Sequence, residues 1–337
     1  MAGDDQGRKR KLSLKDVLLW QKGTPPKPGP RRIGMHTSTT GGVETAAERA
    51  YRLGANCLQI FSSSPRQWRP FELSLAQCSD MLRLRDKYGI SPLVIHSSYL
   101  VNLASATEQF HRNSVKAFRG ELQRALALCA DYLVLHPGSF RGRSREEGLE
   151  LVAKSIAEAA EGLEIENSKL KVLVENTAGS EFSLGGSFDQ VKHLLDYLKD
   201  VCPAGACIDT CHTHVSGYDI VTEAGWQETM ELLDRSIGLD RVHVWHCNDA
   251  KDARGSKRDR HEHIGKGTIG LEPFRRLLND GRTEHAAFIA ETPIDEPKDD
   301  LENLSKLKSL VSVAEVRQTA RSSREGTGRA PAKRKRA

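Results

Sequence analysis

Ala206-Cys207-Ile208-Asp209-Thr210-Cys211-His212 is a short apolar run that stops on a carboxylate, with an imidazole three residues later. Half of this pattern, a β-like run ending on a metal-capable side chain, recurs on both sides. Leu93-Val94-Ile95-His96 and Tyr132 to His136 precede it, as does Lys171-Val172-Leu173-Val174-Glu175; Val242-His243-Val244-Trp245-His246 and Ala287-Phe288-Ile289-Ala290-Glu291 follow. Two earlier runs, Ile33 to His36 and Cys57 to Phe61, bring the number to eight. Between them lie apolar stripes at helical spacing, such as Val115, Phe118, Leu122, Ala125 and Leu126. Ser144 and Glu147 form a capping box before another stripe, and Gly54 stands where a C′ glycine belongs. The last residues of runs three to eight lie 34 to 45 positions apart, the length of βα units with loop insertions. Strands covered on both faces read as continuous apolar runs. The expected fold class is therefore α/β: a (β/α)8 TIM barrel with a metal site at the C-terminal ends of the strands. A doubly wound open sheet is the competing arrangement, but it needs no eight units, and no G-x-G-x-x-G follows the first run.

Composition fits a folded, soluble body, with 38% hydrophobic and 28% charged residues. No apolar run approaches the roughly 20 residues of a membrane span, and the basic start lacks the apolar core of a secretory signal. Seven scattered cysteines, without Cys-x-x-Cys, suit reduced thiols in an intracellular protein, several of them small buried side chains in the β-like runs. The net charge of +5 is unevenly spread. Residues 1–32, a basic, Pro-rich arm, hold nine Lys/Arg against three Asp, and residues 317–337, a basic tail expected to be disordered, hold eight against one Glu. The barrel domain expected over residues 33–316 is left at −8. An acidic body suits a polyanionic partner only if cations sit in its site.

Strand C-termini form the active-site face of such a barrel, so His96, His136, Glu175, Asp209, His246 and Glu291 should converge there. A lone His or Glu at a strand end is commonly an ordinary satisfied polar group; six successive runs ending this way are a different matter. His212 is near enough to join them, and Asp259 and His261, two apart on extended backbone, face one side. These are nine donors without a thiolate, a set suited to Zn²⁺ or Mn²⁺ and too large for one ion. Three divalent ions against the four carboxylates leave a net positive site able to meet a phosphate.

The blocks His136-Pro137-Gly138-Ser139, Val174-Glu175-Asn176-Thr177-Ala178-Gly179, Cys207 to His212 through Gly217-Tyr218-Asp219, His246-Cys247-Asn248-Asp249-Ala250-Lys251 and Asp259-Arg260-His261 resemble the signatures of the endonuclease IV family. These are zinc-dependent apurinic/apyrimidinic endonucleases of base excision repair, with a xylose-isomerase-like TIM barrel, and the resemblance covers about residues 33–312. It implies three Zn²⁺ per chain: one held by His96, His136 and Glu175, a second by Glu175, Asp209, His246 and Glu291, and a third by His212, Asp259 and His261. Phe140 and His263 depart from the family pattern at positions that are not ligands.

The resemblance further implies a double-stranded DNA substrate carrying an abasic site or a blocked 3′ end. Ser64-Pro65-Arg66-Gln67-Trp68-Arg69 resembles the loop that enters the duplex, with Arg66 and Gln67 at the gap and Tyr99 packed nearby; Arg254, Lys257 and Arg258 would contact phosphates. A missing base makes extrusion of the sugar cheap, a source of selectivity. The expected reaction is hydrolysis of the phosphodiester 5′ to the lesion, with a zinc-held hydroxide attacking in line and Glu175 orienting it, to leave 3′-hydroxyl and 5′-deoxyribose phosphate. The chain is expected to be a monomer, to engage no membrane, and to act inside the cell at DNA: nucleoid in a bacterium, nucleus in a eukaryote. A sugar isomerase or epimerase on the same barrel would need one or two metals and would not explain the third donor set. A non-catalytic DNA-binding protein working through its tails would need none.

Overall fold

The computed structural model describes residues 24–68 and 72–312. The N-terminal part of the basic arm, Arg69 and the tail over 317–337 lie outside the described residues. The chain runs β1 (Arg32–His36), α1 (Thr45–Leu53), β2 (Cys57–Phe61), α2 (Leu75–Tyr88), β3 (Leu93–His96), α3 (Glu108–Ala127), β4 (Tyr132–Leu135), α4 (Arg145–Ala160) and β5 (Lys171–Glu175). It continues through α5 (Phe188–Leu198), β6 (Ala204–Asp209), α6 (Thr210–Ser216), α7 (Glu223–Ser236), β7 (Val242–His246), β8 (Asp249–Ala250), β9 (His261–Glu262), α8 (Glu272–Asn279), β10 (Ala287–Ala290) and α9 (Asp299–Ser309). Strands β1 to β7 and β10 close into an all-parallel barrel in which β10 lies between β7 and β1. β8 and β9 form a separate antiparallel ribbon. The eight runs read from the sequence are the eight barrel strands; the ribbon is additional.

Local chemistry explains several boundaries. Ser144 accepts the Glu147 N–H while Glu147 reaches back to the Ser144 N–H, so α4 starts on the expected capping box. Gly54 ends α1 at φ 76°, a left-handed turn that a side chain would oppose. Gly34 is required for another reason: a Cβ there would stand 2.0 Å from the Cys57 carbonyl oxygen, so β1 and β2 pair this way only around a glycine.

Two apolar layers hold the barrel. The larger lies between strands and helices, with Leu58, Ile60, Leu93, Ile95, Phe118, Leu133, Val172, Val174, Phe188, Ile208, Phe274 and Phe288 all buried. The smaller fills the barrel: Cys57, Val94, Val134, Leu173, Cys207, Val244, Ala287 and Ile289. The expectation of small buried thiols is met by Cys57 and Cys207, which sit in this inner plug. Side chains alternate across a strand. The residues two positions beyond the plug therefore also face inward, one level nearer the C-terminal rim. Those residues are Gln59, His96, His136, Glu175, Asp209, His246 and Glu291, and β1 adds His36 two beyond Gly34. The fold thus turns a sequence period of two into a ring of eight polar groups on an apolar floor.

Candidate metal centre

The candidate donor groups at the rim include three without a thiol: His96, His136 and Glu175; Glu175, Asp209, His246 and Glu291; and His212, Asp259 and His261. Overlapping groups bring in Cys207 and Cys211, whose thiols burial pushes well up, away from the ligating thiolate. Within each of the three, one ligand atom per residue lies within 4.8 Å of the others. All nine donors singled out from the sequence are brought together, in the same three sets.

Glu175, fully buried, is the hub. Its Oε2 lies 3.1 Å from His96 Nε2 and 3.0 Å from His136 Nε2, and its Oε1 lies 2.9 Å from His246 Nδ1 and 3.4 Å from His212 Nδ1. Each carboxylate oxygen therefore faces a different cluster. Asp209 has a similar double position. Oδ1 accepts the His212 N–H at 2.7 Å and caps α6, while Oδ2 accepts from Asn248 Nδ2 and stands 3.7 Å from His261 Nε2.

Electrostatics at the site are dominated by this mutual proximity. Burial raises the Glu175 carboxyl, but the His246 and His136 imidazoles outweigh it and hold the group well below the ordinary carboxylate range. Glu291 is lowered in the same way, burial being overcome by His246 and His36, as is Asp259, by His212 and His261. Burial would lower His96 and His261, yet Glu175 and Asp259 respectively push each to about 9. A pocket of ionised carboxylates that draws protons onto its histidines is one in which a cation is wanted.

The donor set passes a sharper test of fit. The buried Nε2 atoms of His212 and His261 have no hydrogen-bond partner of sound geometry, although Asp259 Oδ1 stands 3.2 and 3.3 Å away. Their other ring nitrogens are taken by backbone carbonyls, at Asn176 (2.9 Å) and Glu291 (3.2 Å). Two unsatisfied imidazole nitrogens with a carboxylate oxygen within reach of both match a metal-ligand triad.

Beside the clusters opens a cleft of about 420 Å³, floored by His96, His136, His212 and Asp259 and walled by Tyr99, Asn102 and Ser139. Tyr99 is 64% exposed, with its ring edge-on to Phe61. Arg66 and Gln67 are exposed in the loop after β2, which is tied to the Tyr99 loop by the Ser98 hydroxyl donating to the Pro65 carbonyl at 2.9 Å. Arg254, Lys257 and Arg258 are exposed between β8 and β9. The backbone of their loop docks on α6 through Gly255 N–H to His214 O and Lys257 N–H to Val215 O. Arg254 pairs with Asp219 at 2.8 Å, and Arg258 lies 3.7 Å from Asp252. Phe140 packs edge-on to Phe182, and His263 bonds Asn303, so both departures from the family pattern serve local loop packing.

Sequence reasoning assigned no role to four residues of the site. Asn176 and Asn248 lie inside the quoted blocks and clamp Asp209, through Asn176 Oδ1 to the Asp209 N–H and Asn248 Nδ2 to Oδ2. His36 lies 3.7 Å from Glu291, and Gln59 bonds both His246 and Glu291. A glutamine amid Cys57-Leu58-Gln59-Ile60-Phe61 was the available signal.

Among known proteins, the xylose isomerase-like TIM barrel family model matches residues 47–310. A probable endonuclease 4 of Solibacter usitatus is 47% identical over 281 residues, covering 83% of this chain and 96% of the relative. The crystal structure of endonuclease IV from Thermus thermophilus superposes with a TM-score of 0.75 at 37% identity, over 83% of this chain and 98% of that one. A D-tagatose 3-epimerase-like protein, at 20% identity and a TM-score of 0.58 over 88% and 100% of the two chains, shares the fold alone. With its barrel, its rim of donors and relatives matched over nearly their whole length, the chain belongs to the endonuclease IV family of xylose isomerase-like TIM barrels.

Proposed function

We propose that this enzyme is a three-zinc DNA repair endonuclease that hydrolyses the phosphodiester 5′ to an abasic site and also trims blocked 3′ ends. The observation that carries the reading is the set of three donor clusters joined through Glu175 and through the Asp209–His212 turn. His96, His136 and Glu175 would hold one Zn²⁺; Glu175, Asp209, His246 and Glu291 a second; His212, Asp259 and His261 the third. Zinc bound there supplies Lewis-acid stabilisation of the phosphate and a water acidified toward neutrality. The protein groups do the rest. Glu175, with one oxygen toward each of two clusters, sets their spacing and orients the nucleophile. Tyr99, on the wall of the cleft, and the Arg66–Gln67 loop tied to it through Ser98 and Pro65 would fill the space left by the extruded sugar and exclude water.

Lys257, Arg254 and Arg258, in the loop that also carries Asp259, would steer phosphates. Both arginines already have carboxylate neighbours, so each would exchange a solvent-screened pair for a phosphate. We take the active form to be a monomer working wherever the cell keeps its DNA. Among the described residues no helix is long and apolar enough to cross a membrane. The third cluster and the Arg66 loop favour this reading over a sugar epimerase, which would use one or two ions.

The deciding experiment is incision of a duplex bearing one abasic site. Wild type should cut 5′ to the lesion, and Glu175→Gln should lose activity by on the order of 100-fold or more. A strong chelator is the control for metal dependence, and metal analysis should return three zincs per chain. A wild-type protein that leaves the abasic strand intact ends the proposal.

A further inference from the structure

Gln59 lies in the middle of β2, fully buried, in a strand otherwise made of apolar side chains. Two residues past the plug residue Cys57, it faces inward on the level of the donors. Both ends of its amide are used. Oε1 lies 2.8 Å from His246 Nε2, while Nε2 donates to Glu291 Oε1 and lies 3.0 Å from His36 Nδ1.

Chemistry fixes which end is which. An ionised carboxylate only accepts hydrogen bonds, so the group facing Glu291 must be the NH2. The carbonyl then faces His246, and a carbonyl only accepts, so the proton of that imidazole sits on Nε2. In the neutral ring that could bind an ion, Nδ1 is then the nitrogen left bare, and it lies 2.9 Å from Glu175 Oε1 and 3.3 Å from Glu291 Oε2.

Three other histidines of the centre are wired the opposite way. In His96, His212 and His261 it is Nδ1 that meets a backbone carbonyl, that of Ser97, Asn176 and Glu291 respectively, which directs Nε2 into the site. Main-chain atoms hold those rings, and mutation of a side chain does not remove them. His246 alone among these four depends on a side-chain amide.

We propose that Gln59 is a positioning residue of the second cluster: it locks His246 in the Nε2–H tautomer and holds Glu291 in the orientation that faces the same point. This rests on the metal reading above. Without the amide, His246 can place its proton on Nδ1, the nitrogen that must be bare to bind an ion, and Glu291 loses the donor that fixes its rotamer. The first and third clusters do not touch Gln59 and should be indifferent to it.

The test uses full-length protein loaded with zinc. Gln59→Met keeps length and apolar bulk but removes both polar atoms. Zinc release to a chromophoric chelator and ¹⁵N spectra of histidine-labelled protein are read against wild type. The expected result is one zinc of three bound about 10- to 100-fold more weakly, the loss typical when an outer partner of a metal ligand is removed. The His246 signal should also lose its Nε2–H pattern, while the other histidines keep theirs. Three zincs released as in wild type, with the His246 pattern intact, would overturn the proposal. Gln59→Glu serves if the Met variant does not fold. It retains an acceptor for His246 but sets a second carboxylate against Glu291, so a kept tautomer with a weakened single zinc supports the assignment and unchanged zinc refutes it. Wild type that binds no zinc would instead remove the metal reading itself, and this inference with it.

Discussion

Asp209 does three jobs with one carboxylate. It caps α6 through the His212 N–H, accepts from Asn248, and faces both the Glu175–His246–Glu291 set and His261. Because the cap fixes where α6 begins, it also fixes His212, whose ring is held by the Asn176 carbonyl. One turn of backbone therefore registers two clusters against each other. Asp259 differs: its side chain is 50% exposed and comes from a loop, and its described partners are the two histidines of the third cluster. Asp259→Asn should accordingly drop bound zinc from three to two per chain with little change in melting temperature. Metal analysis after dialysis checks this, and loss of all three zincs would contradict the independence of the third set. At this scale six of the nine donors were legible because each ends an apolar run, where no packing reason puts it, while His212, Asp259 and His261 were read from their spacing to one another and to Asp209. His36 ends a run too but was given no role, and Gln59 lies inside one. Their role emerges only when closure of the barrel lines up all eight inward positions on one level.

The strands read clearly because burial on both faces makes them uniformly apolar, and the helices because their stripes and caps agree. What escaped reading depends on contacts distant in sequence. The β8–β9 ribbon is two residues a side and has no periodicity to detect; it exists because Asp249 and Ala250 pair with Glu262 and His261. Buried Asp249 then collects the N–H groups of Gly265, Gly267, Ile269 and Gly270, tying down the loop beyond His261. Helix α3 offers a second case. Its Arg124 donates to the hydroxyls of Ser62 and Ser63 in the loop after β2, and its Glu121 accepts from Ser62 and from the Ser98 N–H beside Tyr99. One buried helix face thus braces both loops proposed to meet the lesion. Arg124→Met leaves the Glu121 charge buried without its cation, a change that typically costs about 3–5 kcal/mol. Beyond that loss of stability, the variant should show weaker binding of abasic duplex and a raised KM, with kcat and zinc content nearly kept. A fall in kcat alone would mean that the loops do not move with α3.

Charge divides the molecule more sharply than secondary structure does. Residues 33–316 carry −8, residues 1–32 carry +6 and residues 317–337 carry +7. The acidic part includes the four carboxylates of the centre, which three zincs would more than neutralise, so the rim turns cationic only when metal is bound. Away from the rim the body still repels a phosphate backbone, and that repulsion has to be offset for the enzyme to search along DNA. The basic ends are suited to this in their composition: Lys and Arg that neutralise phosphates release counterions, and each such contact adds about 0.9 to the slope of log K against log salt. Deleting 317–337 removes eight positive charges. Non-specific binding should weaken at low salt and its salt slope should flatten by several units, while turnover on an abasic duplex at low salt stays nearly intact, because none of the proposed ligands is lost. An unchanged slope would mean that the C-terminal charges do not meet DNA, and would leave Lys333 to Arg336 to serve as a targeting signal instead.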